Sequence, residues 1–211
     1  MKLQQIYLGV VLLAFLIGLL NFKSLVFSVR LLCVLLGIVF IVETSGYTLR
    51  EVIGINNQFL FHIYGPIEYM FLSYLYYSHL KSQSQKKFIL LSIPLFLLLS
   101  ISTSLFFQEL TETPYNFLLR CFLIILFCLL YFAQLYKSSE VFDIYRIPLF
   151  WISVGHFIFY GGSFFLMGLI DEIEKIDIGI AKSLFQINTY LNIFLYSMFI
   201  IAFTCNRKKR V

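Results

Sequence analysis

Glu68 is the residue in this chain whose type and position most demand an explanation. It lies about ten residues into an apolar stretch, and at 1.5 Å per residue that is a depth of ~15 Å, near the middle of a bilayer. A carboxylate there is costly unless it is neutral, paired, or turned toward a cavity. Tyr64 stands one helical turn away on the same face, and Pro66 between them weakens the local backbone ladder. Arg120, about one turn into a later apolar stretch, either reaches Glu68 or extends its guanidinium toward the membrane surface. Two further segments carry polar groups to comparable depth: His156 and Tyr160, followed by Gly161, Gly162 and Ser163, and then Asn188, Asn192 and Tyr196 at i, i+4 and i+8. Tyr64, Glu68, Arg120, His156, Tyr160, Asn188 and Asn192 are therefore the candidate ligand-binding set, expected to line one pocket in the outer half of the membrane. Each also has a packing role open to it. Asparagines hydrogen-bond between helices, and glycines such as Gly155, Gly161 and Gly162 let helices approach closely.

The elements that must hold these groups are apolar stretches at 6–20, 25–42, 58–80, 88–107, 116–136, 148–169 and 184–204. Each is of the length that crosses hydrocarbon as a helix, the structure that satisfies its own backbone there. Composition agrees: 60% of residues are hydrophobic, 13% are charged and the mean hydropathy is +0.89, far outside the range of soluble domains. The expectation is an all-α polytopic protein, one seven-helix membrane domain over residues 1–211. The first stretch follows Lys2 in the manner of a signal peptide, but Leu19, Leu20 and Asn21 offer no small-residue cleavage site, so it reads as a helix.

Charge sets the expected orientation. Basic residues fill alternate gaps, at Lys23, at 81–87, at 137–146 and in the tail Arg207, Lys208, Lys209 and Arg210. The intervening gaps hold Glu43 and Glu51, Glu109 and Glu112, and the group Asp171, Glu172, Glu174 and Asp177. Lysine and arginine mark the cytoplasmic side, which places the N-terminus outside, the C-terminus in the cytoplasm and the chain in a cell inner membrane. The net charge of +5 then belongs to flanks that meet anionic lipid, and nucleic acid is not an expected partner.

Several chemistries are excluded. The four cysteines lie in spans or near the cytoplasmic end, away from an oxidising compartment, and the three histidines sit at different depths, so neither a disulfide framework nor a metal or other cofactor is expected. Lys182 precedes the last stretch instead of lying deep within it, where a retinal-binding lysine belongs. Phe164 follows Gly161, Gly162 and Ser163 where an intramembrane serine protease needs glycine. No stretch carries the regularly spaced arginines of a voltage sensor.

The stretch 57–77, with Tyr64 and Glu68 followed by aromatics, and the stretch 151–165, ending Tyr160, Gly161, Gly162, Ser163, Phe164 and Phe165, resemble small seven-helix proteins of Bacteroidetes-type bacteria. Some of those are similar to the membrane sensor portions of histidine kinases. The resemblance covers most of the chain and implies a non-enzymatic sensor or signal-coupling subunit. Its partners would be the bilayer, a small-molecule ligand and a separate cytoplasmic or membrane protein. Two other classes stay open. One is a small-solute carrier with parallel three-helix repeats, in which Tyr64 and Glu68 align with Asn188 and Asn192 and Glu68 moves a proton. The other is a lipid-modifying enzyme with Glu68 and His156 as acid and base.

Overall fold

The computed structural model describes residues 2–138 and 143–205, leaving the basic tail at 207–210 and part of the 137–146 gap outside the described residues. Seven long helices form where the apolar stretches are: α1 Lys2–Asn21, α2 Phe27–Thr48, α3 Gln58–His79, α4 Gln83–Ser102, α5 Asn116–Tyr136, α6 Pro148–Ile176 and α7 Ile178–Cys205. No strand occurs among the described residues. Six of the seven are long and apolar enough to cross a membrane; α3, the carrier of Glu68, is as long but too polar to qualify on composition. It is nonetheless packed against three neighbours, α2, α4 and α5, which shelter its polar side chains.

Local chemistry moves several boundaries from their expected places. The second stretch does not stop at Val42: helix runs through Glu43 to Thr48 and continues as a wide π-type turn, Leu49–Ile53. Gly54 then ends it in the left-handed conformation, φ 78°, which glycine adopts without steric cost. Glu43 is therefore part of a helix and not a residue of the following gap. A second π-type turn, Thr103–Phe107, extends α4. The acidic gap between the last two helices shrinks to one residue, because Asp177 accepts hydrogen bonds from the backbone N–H groups of Gly179 (2.6 Å) and Ile180 (3.2 Å) and so starts α7 well before residue 184.

The helices close a ring. α1 packs on α2 and α7, α7 on α6, α6 on α5, α5 on α3, and α3 on α2. α4 stands outside, laid against α3 and α5 through one stripe, Ile89, Ser92, Phe96 and Ser100, while Leu91, Leu95 and Leu98 face outward. That stripe has helical spacing, and its anchor is the Tyr69 hydroxyl of α3, which donates to Ser92 Oγ at 2.7 Å. The α6–α7 contact runs along small residues. A Cβ on Gly155 would sit 3.1 Å from Leu195 and Met198, and one on Gly162 would sit 2.5 Å from Leu191.

Contacts between the turns sort the two ends of the bundle. At one end, Gln134 of α5 holds the end of α3 by accepting from the Lys81 N–H (2.6 Å) and donating to the His79 carbonyl (3.1 Å), and Cys205 reaches the Tyr145 carbonyl. This is the end with the basic gaps. At the other, Asn56 donates to the Thr111 carbonyl (2.9 Å), joining the two turns that carry Glu51 and Glu109.

Candidate functional site

The ring encloses a polar cluster. Its centre is the ion pair between Arg120 Nη1 of α5 and Glu68 Oε2 of α3, at 3.2 Å, with 7% and 13% of the two side chains exposed. The Tyr64 hydroxyl donates to Glu68 Oε1 at 2.7 Å, so both carboxylate oxygens are engaged. Arg120 does not extend to the surface. Its guanidinium lies over the Phe117 ring, 5.1 Å from the centroid, and crosses α3 at Gly65, where a Cβ would collide with Nη1. Glycine at 65 is thus what lets a long cation on one helix reach a carboxylate one turn along its neighbour.

The remaining ring helices each send one group toward this centre. Tyr160 of α6 is 1% exposed and lies in the field of both Glu68 and Arg120. Tyr7 of α1 and Tyr196 of α7 are both buried, with the two tyrosine rings 6.0 Å apart, and Tyr7 lies in the field of Glu43 of α2. Tyr196 lies in the field of Glu43 and Glu68. All six ring helices contribute, and α4 contributes none among these. Two donors near the centre are buried without a hydrogen-bond partner among the described residues: Arg120 Nε and Asn116 Nδ2, one turn apart on the same face of α5. Both residues are 6% exposed. Orphaned buried donors of this kind are rare in folded proteins and each invites an acceptor.

Of the seven residues expected from the sequence, Tyr64, Glu68, Arg120 and Tyr160 meet here. His156 does not join them. Its Nδ1 lies 3.0 Å from the Tyr76 hydroxyl, which also reaches Cys128 Sγ (3.0 Å) and Ser153 Oγ (3.3 Å). Tyr76 is two turns along α3 from Glu68, ~12 Å toward the basic end, so acid and base of the imagined enzyme stand at separate depths. His156, Ser153 and Cys128 are buried, and their bonds join α3, α5 and α6. Asn188 accepts from Ser163 Oγ at 2.7 Å and so ties α7 to α6, while Asn192 donates to the Asn188 carbonyl of its own helix at 3.1 Å. Asn188 thus serves packing between helices, whereas the Asn192 bond stays within α7. His62, which the sequence left aside, fastens the acidic end: it lies 2.7 Å from Ser104 Oγ and 3.0 Å from the Glu112 carbonyl.

Tyr7, Glu43, Gly65, Asn116 and Tyr196 complete the site and were not among the candidates. Glu43 is hidden in the sequence because a charge marks the edge of an apolar stretch. Gly65 and Asn116 were hidden because their roles depend on which helix lies opposite. No group of three or more histidine, cysteine or carboxylate side chains suited to a metal occurs among the described residues. A separate cleft of about 530 Å³ opens at the basic end, lined by Lys81, Ser82, Gln85, Gln134 and Lys137, and shares no residue with the cluster.

The architecture is all-helical among the described residues, with six helices long and apolar enough to cross a membrane and a buried ion pair between α3 and α5. Comparison with protein-family profiles, curated proteins and solved structures returns no match.

Proposed function

We propose that the chain is a multi-pass inner-membrane protein that receives a small polar ligand at the Asn116–Arg120 face and passes the event to a separate protein at its basic end. The observation that carries this reading is the pair of buried, unpartnered donors, Arg120 Nε and Asn116 Nδ2, beside an ion pair that spans two helices. A ligand oxygen accepting from both would pull on α5. Movement of α5 has a ready path: α3 is joined to it by Glu68 and Arg120 near the start of α5, by Tyr76 and Cys128 at the middle of α5, and by His79, Lys81 and Gln134 near its last turn. α3 and α5 then move as a pair, and the basic end, which the positive-inside rule assigns to the cytoplasm, changes shape. The resemblance to sensor portions of histidine kinases points the same way.

Cys205 offers the test. It is the one cysteine of the four that is not buried, so a fluorophore can be attached to it selectively. Purified protein would be screened by thermal melting against small carboxylates, alcohols and amides. A binder should raise the melting temperature saturably, shift the Cys205 fluorescence over the same concentrations, and lose both effects in Asn116→Leu. Stabilisation unaltered in Asn116→Leu would remove the site. Stabilisation without a fluorescence change would remove the coupling.

A carrier is the second reading, favoured by the order of contacts in the ring. Matching α1, α2 and α3 to α5, α6 and α7 maps every ring contact onto another, the α3–α5 contact onto α7–α1 included, with α4 as the outlying connector. That is the arrangement of two parallel three-helix repeats. Uptake of the identified binder into proteoliposomes would move the assignment to this class.

A further inference from the structure

The cleft at the basic end has a volume of about 530 Å³, within the ~300–1,000 Å³ of sites that take small molecules. Its walls are Lys81 and Ser82 of the α3–α4 turn, Gln85 in the first turn of α4, and Ala133, Gln134 and Lys137 at the end of α5. The Gln134 amide ties these walls together, accepting from the Lys81 N–H at 2.6 Å and donating to the His79 carbonyl at 3.1 Å. Two lysines therefore border one opening, and no carboxylate lines it. Among the described residues neither lysine is in an ion pair, and the Ser82 hydroxyl, at the cap position of α4, makes no bond to that helix. Asp143, the described carboxylate of this end, is already bound to Arg146 at 2.8 Å. Lys86, next to Gln85, is held over the Tyr77 ring, 5.4 Å from its centroid, and adds to the positive charge. Such an opening asks for an anion.

One turn further into the bundle the same walls become apolar. Phe88 follows Gln85 by three residues on α4, and Leu129 precedes Ala133 by four on α5, so each continues the face that lines the cleft. Both are exposed, and the Phe88 ring meets Phe127 of α5 edge-on at 6.2 Å. Because α4 stands outside the ring, a furrow runs between it and α5 below the cleft. Tyr136, exposed beside Lys137, is of the amphipathic type that marks the membrane–water interface, which puts the cleft at headgroup depth and the furrow among the acyl chains. We propose that the cleft seats the phosphate of an anionic membrane phospholipid, with one of its acyl chains in the α4–α5 furrow. Lys81 and Lys137 supply the charge, Ser82 and Gln85 the hydrogen bonds, and Phe88, Leu129 and Ala133 the apolar floor. A soluble phosphate would use the lysines and gain nothing from that floor. The inference does not depend on a ligand at Asn116 and Arg120. A lipid held there bridges the start of α4 to the end of α5 and so fastens the outlying helix to the ring.

The test is thermal melting of the purified full chain in detergent, titrated with a short-chain phosphatidylglycerol, with phosphatidylcholine of the same chain length, and with inorganic phosphate. Phosphatidylglycerol should raise the melting temperature saturably and at lower concentration than phosphatidylcholine, and inorganic phosphate should do nothing. Lys81→Gln and Lys137→Gln should each weaken phosphatidylglycerol binding about fivefold, the worth of one basic residue beside anionic lipid. Both lysines are exposed, so neither variant should change the melting temperature in detergent alone. Ala133→Trp, which fills the furrow, should weaken the lipid as well. Lys23→Gln, on the α1–α2 turn of the same end, should leave binding as it is. An equal response to the two phospholipids, an equal loss in Lys23→Gln, or no loss in Lys81→Gln and Lys137→Gln would each overturn the assignment. Stabilisation by inorganic phosphate that the lysine variants weaken and Ala133→Trp leaves intact would also overturn it, making the cleft a site for a soluble anion. Failure of either lysine variant to fold would do the same, since those side chains would then be structural.

Discussion

At the scale of single residues, the site is governed by the cost of charge in a medium that cannot solvate it. Glu68 was legible because its depth follows from counting, and Arg120 because it lay at a depth from which Glu68 was within reach. Glu43 was not legible, since a hydropathy profile treats a charge as a boundary, whereas α2 continues past it to Thr48. The same limit hid Gly65, whose importance is the guanidinium crossing over it. A double-mutant cycle measures the pair: Glu68→Gln and Arg120→Gln should each cost ~3–5 kcal/mol, because each strands the other charge, and the double variant should cost less than their sum. Additive losses would mean that the two side chains do not depend on one another. Gly65→Ala should lower stability by ~1–3 kcal/mol through collision with Arg120, and much less in an Arg120→Gln background. Equal effects of Gly65→Ala in both backgrounds would trace the loss to the backbone of α3 and not to the guanidinium.

At the scale of elements, small residues decide how closely helices meet. The sequence pattern expected a groove on α6 at Gly155 and Gly162, and α7 fills it with Leu195, Met198 and Leu191. Gly161, adjacent in sequence, points elsewhere, with nothing within 4 Å of its would-be Cβ. Leucine at 155 or 162 should therefore separate α6 from α7 and cost ~1–3 kcal/mol or more, whereas Gly161→Ala should be neutral or stabilising by up to ~1 kcal/mol, as alanine favours the helical backbone. Thermal melting of the three variants checks this. If Gly161→Ala proved as harmful as the leucine variants, the facing of α6 would be wrong. Helix ends were less legible than helix faces. Asp177 can start α7 as well as occupy a loop, and the choice rests on two backbone N–H groups that composition does not reveal. α3 shows the opposite case, where a helix too polar to stand alone in lipid is made tenable by the three helices around it.

At the scale of the whole molecule, the count of helices came from hydropathy and was legible, but their order around the ring was not, because six of the seven helices are apolar enough to face lipid and so do not declare their neighbours. The displaced α4 and the closure of α1 on α7 depend on small-residue faces and buried polar bonds that only meet in three dimensions. Charge alternation does survive the assembly. The structure gathers the α3–α4 and α5–α6 turns and Cys205 at one end, and the α2–α3 and α4–α5 turns at the other. The first end carries Lys81, Lys86, Lys87, Lys137 and Arg146, and the second carries Glu51, Glu109 and Glu112. An inverted protein would have to draw those lysines and arginines across the membrane, against the positive-inside bias of multi-pass proteins. A reporter enzyme active only in the periplasm should thus be silent when fused after Val211 and active when inserted at Thr111, between α4 and α5. A strong signal from the Val211 fusion would invert the bundle, carry the cleft between Lys81 and Lys137 to the outer face, and leave the proposed output surface with no cytoplasmic partner to meet.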